Sequence, residues 1–98
     1  MSKDWEKFFE QGNQAFEADN LEAAESFFKA ALAAAEQSDN ELDVAVCSER
    51  LGELYFEAQD YREAEPCFQR TLEIRDRLLK PHDDLVVAAL NNLSALYF

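Results

Sequence analysis

Apolar side chains recur every three or four residues along nearly the whole chain, which is the spacing of helices that bury one face. Trp5, Phe8, Phe9, Ala15 and Phe16 mark a first helix over about residues 3–18, and Asp4 and Glu6 suit its positively polarised start. The stretch "ADNLEAAE" breaks it, and a second helix follows over about 21–37. "SDNELD", rich in helix-capping types, leads into a third over about 42–58. "QDYREAE" turns into a fourth over about 61–79. Pro66 falls inside this helix, where a proline costs up to ~3 kcal/mol in a true interior. Pro81 cannot continue it. Asp83 or Asp84 caps a fifth helix, apolar almost all round, which runs to Phe98.

The five segments repeat. "EQGNQAFEADNLEAAESFFKAAL" aligns with "ERLGELYFEAQDYREAEPCFQRTL", pairing Gly12 with Gly52, Phe16 with Phe56, Ala24 with Ala64, Phe28 with Phe68 and Leu32 with Leu72. "SERLGELYF" aligns in turn with "LNNLSALYF", pairing Gly52 with Ser94, Tyr55 with Tyr97 and Phe56 with Phe98. The first offset is 40 residues and the second 42. A mid-helix glycine costs about 1 kcal/mol relative to alanine, so its recurrence at equivalent places points to close helix approach. Ala24 and Ala64 are the expected counterparts, with Phe28 and Phe68 filling the space beside them. The pattern is a repeated helical hairpin, an α-solenoid.

With these residues in register, the chain resembles the tetratricopeptide repeat (TPR) family. That pattern runs aromatic or Leu, Leu-Gly, Tyr, then Ala-x3-Phe. The first copy keeps Phe8, Gly12, Ala24, Phe28 and Ala31, with Gln11 and Ala15 departing. The second keeps Leu51, Gly52, Tyr55, Ala64 and Phe68, with Ser48 and Thr71 departing. The third keeps Leu90, Leu93, Ser94 and Tyr97. The longer spacing, with "AEPCF" and "LNNLSALY", is similar to the kinesin-light-chain type. That subgroup's Gly-Pro-Asp-His-Pro-like loop is here Lys80-Pro81-His82-Asp83-Asp84, without its first glycine and second proline. The resemblance implies an all-α, right-handed superhelical stack of about two and a half repeats in one domain over 1–98. Repeat one covers about 3–37, repeat two about 42–79, and the first helix of repeat three about 83–98.

Composition narrows the function. Formal net charge is −12, from 21 acids and 9 bases. This argues against nucleic acid and anionic membrane surfaces and permits basic partners or plain solubility. Residues 1–43 hold three bases against eleven acids; residues 44–98 hold six against ten. No apolar run approaches the ~20 residues that span a bilayer. The N-terminus lacks the features of an export signal, so a cytoplasmic protein is expected. Cys47 and Cys67 sit among apolar positions and read as buried free thiols.

No catalytic constellation emerges. His82 is the one histidine, no nucleophile stands beside it in a motif, and no glycine-rich phosphate loop is present. The turn His82-Asp83-Asp84 reads as a cap and solvated turn rather than a metal site, and "SDNELD" lacks the turn glycine of a calcium loop. No enzyme activity, cofactor or metal is expected.

What remains is binding. In the family, the first helices of successive repeats line a concave groove. The resemblance places Glu6, Phe9, Asn13 and Phe16 on that face of the first helix, Val46, Glu49, Glu53 and Phe56 on the third, and Ala88, Asn91, Ala95 and Phe98 on the fifth. Phe16 and Phe56 are shared between this reading and one in which they close the core. Glu49 and Glu53 beside Phe56 suit a ligand with a cation and an apolar side chain. Some members hold chaperone C-termini with a clamp of Lys, Asn and Arg; only Asn13 matches here, Phe9, Ala88 and Asn92 stand at its basic places, and Arg50 is a lone base where it has Asn. The expected function is protein–protein interaction, with a peptide or partner helix in the groove. The alternative is an assembly scaffold, stacking or self-associating through Leu90, Leu93 and Tyr97. The chain is expected to be part of a longer repeat array or multidomain protein.

Overall fold

The computed structural model describes residues 4–97, so Met1–Lys3 and Phe98 lie outside it. Five helices follow one another: α1 Asp4–Glu17, α2 Leu21–Gln37, α3 Glu41–Glu57, α4 Tyr61–Leu78 and α5 Asp84–Ala95. Each packs against the next to form an α-helical repeat stack. α5 stops at Ala95, short of the expected run to the chain end, and Leu96 and Tyr97 close it as a turn.

The first three turns share one design. The middle residues Asp19, Asp39 and Gln59 are left-handed, with φ of 63°, 65° and 62°. In the α1–α2 turn, the Asp19 and Asn20 amides donate to the carbonyls of Phe16 and Ala15 at 3.0 and 2.9 Å. In the α3–α4 turn, Gln59 and Asp60 donate to Phe56 and Tyr55 at 3.0 and 2.8 Å. These bonds satisfy carbonyls that a helix end otherwise leaves open. The residue that completes the stop also starts the next helix: Asn20 accepts from the Ala23 amide at 3.2 Å and Asp60 from Glu63 at 3.3 Å. Asn40 caps α3 through Leu42. Of the two candidate caps for α5, Asp83 serves, accepting from the Leu85 amide at 2.9 Å.

Each hairpin closes on a glycine and a phenylalanine ring. A Cβ on Gly12 would lie 2.5 Å from the Phe28 ring, and one on Gly52 would lie 2.6 Å from Phe68. The close approach read from the repeated glycines is therefore present. Its counterpart is the ring itself, not Ala24 or Ala64 as expected. A flat ring lying on a bare backbone fills the gap that an alanine would leave open. Phe28 and Phe68 are 0% and 2% exposed, and Ala24 and Ala64 are fully buried nearby.

Pro66 lies inside α4 without ending it. Pro66 and Arg62, whose carbonyl loses its intrahelical donor, are both exposed, so water can take the freed bond. Thr71, where repeat one has Ala31, is fully buried and donates its hydroxyl to the Cys67 carbonyl at 2.9 Å. Ser48 is buried with no partner for its hydroxyl. Repeats are also joined by tyrosines. Tyr55 on α3 donates to Glu25 on α2 at 2.7 Å, and Tyr97 donates to Glu65 on α4 from the matching place one repeat later.

Candidate functional site

The helices α1, α3 and α5 are the first members of their hairpins, and they meet around a cleft of about 270 Å³. Phe16 lines it from α1, Arg50, Glu53, Phe56 and Glu57 from α3, and Asn92 and Ala95 from α5, with Phe68 behind. Residues 13 and 16, like 50 and 53, are three apart and so share a helix face.

Arg50 organises this cleft. Its Nε donates to Asn13 Oδ1 at 2.7 Å, and its Nη1 to Glu53 Oε1 at 2.9 Å. The guanidinium carbon stands 5.2 Å from the Phe16 ring centroid, within cation–π range. The arginine is thus held on three sides by residues from two helices, and Glu53 neutralises it. Glu57 has no such base beside it in the cleft, so the lining carries net negative charge.

The two aromatics serve both readings made of them. Phe16 meets the buried Phe28 edge-on at 6.2 Å, and Phe56 meets Tyr61 edge-on at 5.3 Å. Both are half-buried, with one side in packing and the other on the cleft.

The other expected groove residues are dispersed. Phe9 stacks between Trp5 and Phe28, with centroids 5.7 Å from each, and belongs to the packing of α1 on α2. Glu6 is exposed beside Lys7 and Glu10, away from the cleft. Val46 and Ala88 are half-buried and Asn91 is exposed, and none of the three lines the cleft. Phe98 lies outside the described residues. Glu49, read as a free acid, is engaged: Arg75 donates to both its oxygens at 3.0 and 3.1 Å, and Asn92 donates to it at 3.2 Å. Arg75 also donates to the Leu85 carbonyl at 3.4 Å and is 1% exposed. This network locks α5 onto α3 and α4, and so sets one wall of the cleft.

Sequence reasoning left Arg50, Glu57 and Asn92 out of the site. The signal for Arg50 was its three-residue spacing to Glu53, which places opposite charges on one helix face. Asn92 was passed over for Asn91 because the two are adjacent and only the docking angle of α5 decides which one faces in.

The expected self-association residues divide as well. Leu90 and Tyr97 are 47% and 64% exposed, whereas Leu93 is half-buried. Leu85 and Val87 join the exposed apolar set.

The titratable groups elsewhere are structural. Burial pushes the Cys47 thiol up to about 12 and the Cys67 thiol up to about 11, with nearby acids adding to the effect. Both stay protonated and unreactive at neutral pH. Among the described residues, no three of His, Cys, Asp and Glu are placed to hold a metal ion, and no helix is long and apolar enough to cross a membrane.

A model of the tetratricopeptide repeat family matches residues 8–76 and again residues 44–98. No curated protein and no solved structure matched the chain.

Proposed function

The chain belongs to the tetratricopeptide repeat family, whose members generally act as non-catalytic protein–protein interaction modules, and from that premise we propose that it holds a peptide in the cleft between α1, α3 and α5. The observation that carries this reading is the Arg50 arrangement: two half-buried aromatics flank an arginine already neutralised by Glu53, leaving Glu57 open. An apolar side chain fits between Phe16 and Phe56. A cation beside it meets Glu57, within the field of a chain of net charge −12. The ligand is therefore a peptide with one apolar anchor and flanking Lys or Arg.

The test uses fluorescent peptides with a single Leu or Phe, flanked by lysines in one set and glutamates in the other. The lysine set should bind, more weakly as salt rises. Phe56→Ala should weaken it about tenfold or more, equivalent to ~1.4 kcal/mol. Equal binding of the glutamate set, or no effect of Phe56→Ala in a variant that still melts cooperatively, excludes the reading.

The kinesin-light-chain-like subgroup belongs to the same proposal. It is supported by the 40- and 42-residue spacings and by the 18-residue α4 that precedes the Lys80–Asp83 turn.

A second reading has its own support. Val87, Leu90 and Tyr97 leave an apolar stripe of α5 uncovered. The equivalent face of α3, at Ala45, Ser48, Gly52 and Tyr55, packs under α4. Here α5 is an assembly surface, and the chain is a scaffold as well as a reader of peptides.

A further inference from the structure

We propose that the uncovered stripe of α5 pairs with the same stripe of a second copy, antiparallel and about a two-fold axis. The inference rests on the reading of α5 as an assembly surface and names its occupant. Three observations carry it.

The first is spacing. Val87, Leu90, Ser94 and Tyr97 fall on one face of α5 at intervals of three, four and three residues, a pattern identical in both directions. A two-fold axis requires this of a helix that meets its own copy antiparallel.

The second is size. Reversal about position 92 sets Leu90 beside Ser94 of the second copy and Val87 beside Tyr97 of the second copy. Large residues meet small ones at every step. Ser94 stands where Gly12 and Gly52 receive the rings of Phe28 and Phe68, so the helix is already narrow at this point.

The third is charge. Residues 85–97 contain no charged side chain, in a chain of net charge −12. A basic partner gains from an acidic surface and has no need of a neutral one. A like-charged copy can approach closely only where charge is absent. By contrast α1, at the other end of the stack, exposes Glu6, Lys7, Glu10 and Gln14. That polar surface does not match the apolar stripe, so the contact closes on itself instead of growing head to tail.

Sedimentation velocity over a concentration series tests this, at about 20 mM and about 500 mM salt, where screening lengths differ several-fold. The expected result is a monomer–dimer equilibrium that moves toward dimer at high salt. Leu90→Glu should give monomer with unchanged helical circular dichroism. A mixture of Leu90→Cys and Ser94→Cys variants should oxidise to the mixed disulfide faster than Leu90→Cys does alone. The two native thiols stay out of this exchange, since burial holds both well above neutral pKa.

Open-ended growth, a dimer that survives Leu90→Glu, or preferred pairing of Leu90→Cys with itself overturns the proposal. So does a monomer under all conditions. In that last case Nile red distinguishes the two ideas. Dye binding abolished by Leu90→Glu keeps α5 as a seat for a different partner, and dye binding indifferent to Leu90→Glu removes the assembly reading too.

Discussion

Arg75 on α4 grips both carboxylate oxygens of Glu49 on α3, at 3.0 and 3.1 Å, with the arginine 1% exposed. One repeat earlier, 40 residues back, the same two places hold Ala35 and Phe9. Ala35 is fully buried, and Phe9 packs on its cluster. The two hairpins thus fill equivalent space, one with hydrocarbon and the other with an ion pair. Removing one partner strands the other charge in a poorly hydrated place. Arg75→Ala is expected to lower unfolding free energy by about 3 kcal/mol. Adding Glu49→Phe, which copies repeat one, should recover most of that loss. Urea melts of the two singles and the double measure it, and a double no better than Arg75→Ala contradicts the equivalence.

The glycine positions yield a second prediction. Gly52→Ala gains about 1 kcal/mol of helix propensity, but its Cβ would fall 2.6 Å from the Phe68 ring. Overpacking of this kind costs about 1–3 kcal/mol, so the variant should be less stable. Phe68→Leu should then cost less in the Gly52→Ala background than it does alone. Equal costs in the two backgrounds would show that the ring and the glycine are not coupled.

Gln59 is the third. Its φ of 62° is shared with Asp19 and Asp39, yet aspartate tolerates the left-handed region better than a longer side chain does. Gln59→Gly is expected to raise stability by about 1 kcal/mol, or roughly 4–8 °C in Tm. Asp39→Gly should raise it less. Thermal melts of the pair check the order, and equal shifts would remove the distinction between the turns.

The link between repeats is sensitive to acid. The Tyr55 hydroxyl holds the Glu25 carboxyl below the usual carboxylate range, with Lys29 adding to the effect against some opposition from burial. A depressed folded-state pKa contributes stability above the unfolded value, and that contribution is lost as pH falls through the folded one. Tyr55→Phe should therefore cost about 1 kcal/mol at neutral pH. The difference from the parent should shrink below about pH 4. A cost that stays constant from neutral to acid pH would mean that the hydroxyl acts through packing and not through the carboxylate.

Some of this was open to inspection in one dimension. Phe28 and Phe68 recur 40 residues apart, as do Gly12 and Gly52, and residues that repeat in register must make the same local contacts. The groove face of α3 was also partly legible, because Glu53 and Phe56 lie three apart. Glu49 was not. On a helix stripe an acid reads as solvated, and nothing local reveals an arginine 26 residues later on the facing helix. The clue lay in the alignment: Glu49 and Arg75 stand where repeat one places Phe9 and Ala35, both apolar.

The left-handed turns show the same division. Their capping residues were visible as Asn20, Asn40 and Asp60, since those side chains hydrogen-bond locally. The positive φ one residue earlier was not visible, because at position 59 a glutamine holds it. By itself the sequence determined five helices, their pairing into hairpins and the narrow glycine contacts, all of which follow from periodicity and side-chain volume. Tertiary structure alone decided which acid pairs with Arg75, that Arg50 and not Glu49 anchors the cleft, and that Asn92 and not Asn91 faces it. Those choices depend on the crossing angles of α3, α4 and α5. A rotation of one helix by a single residue, about 100°, carries a side chain from the cleft to solvent.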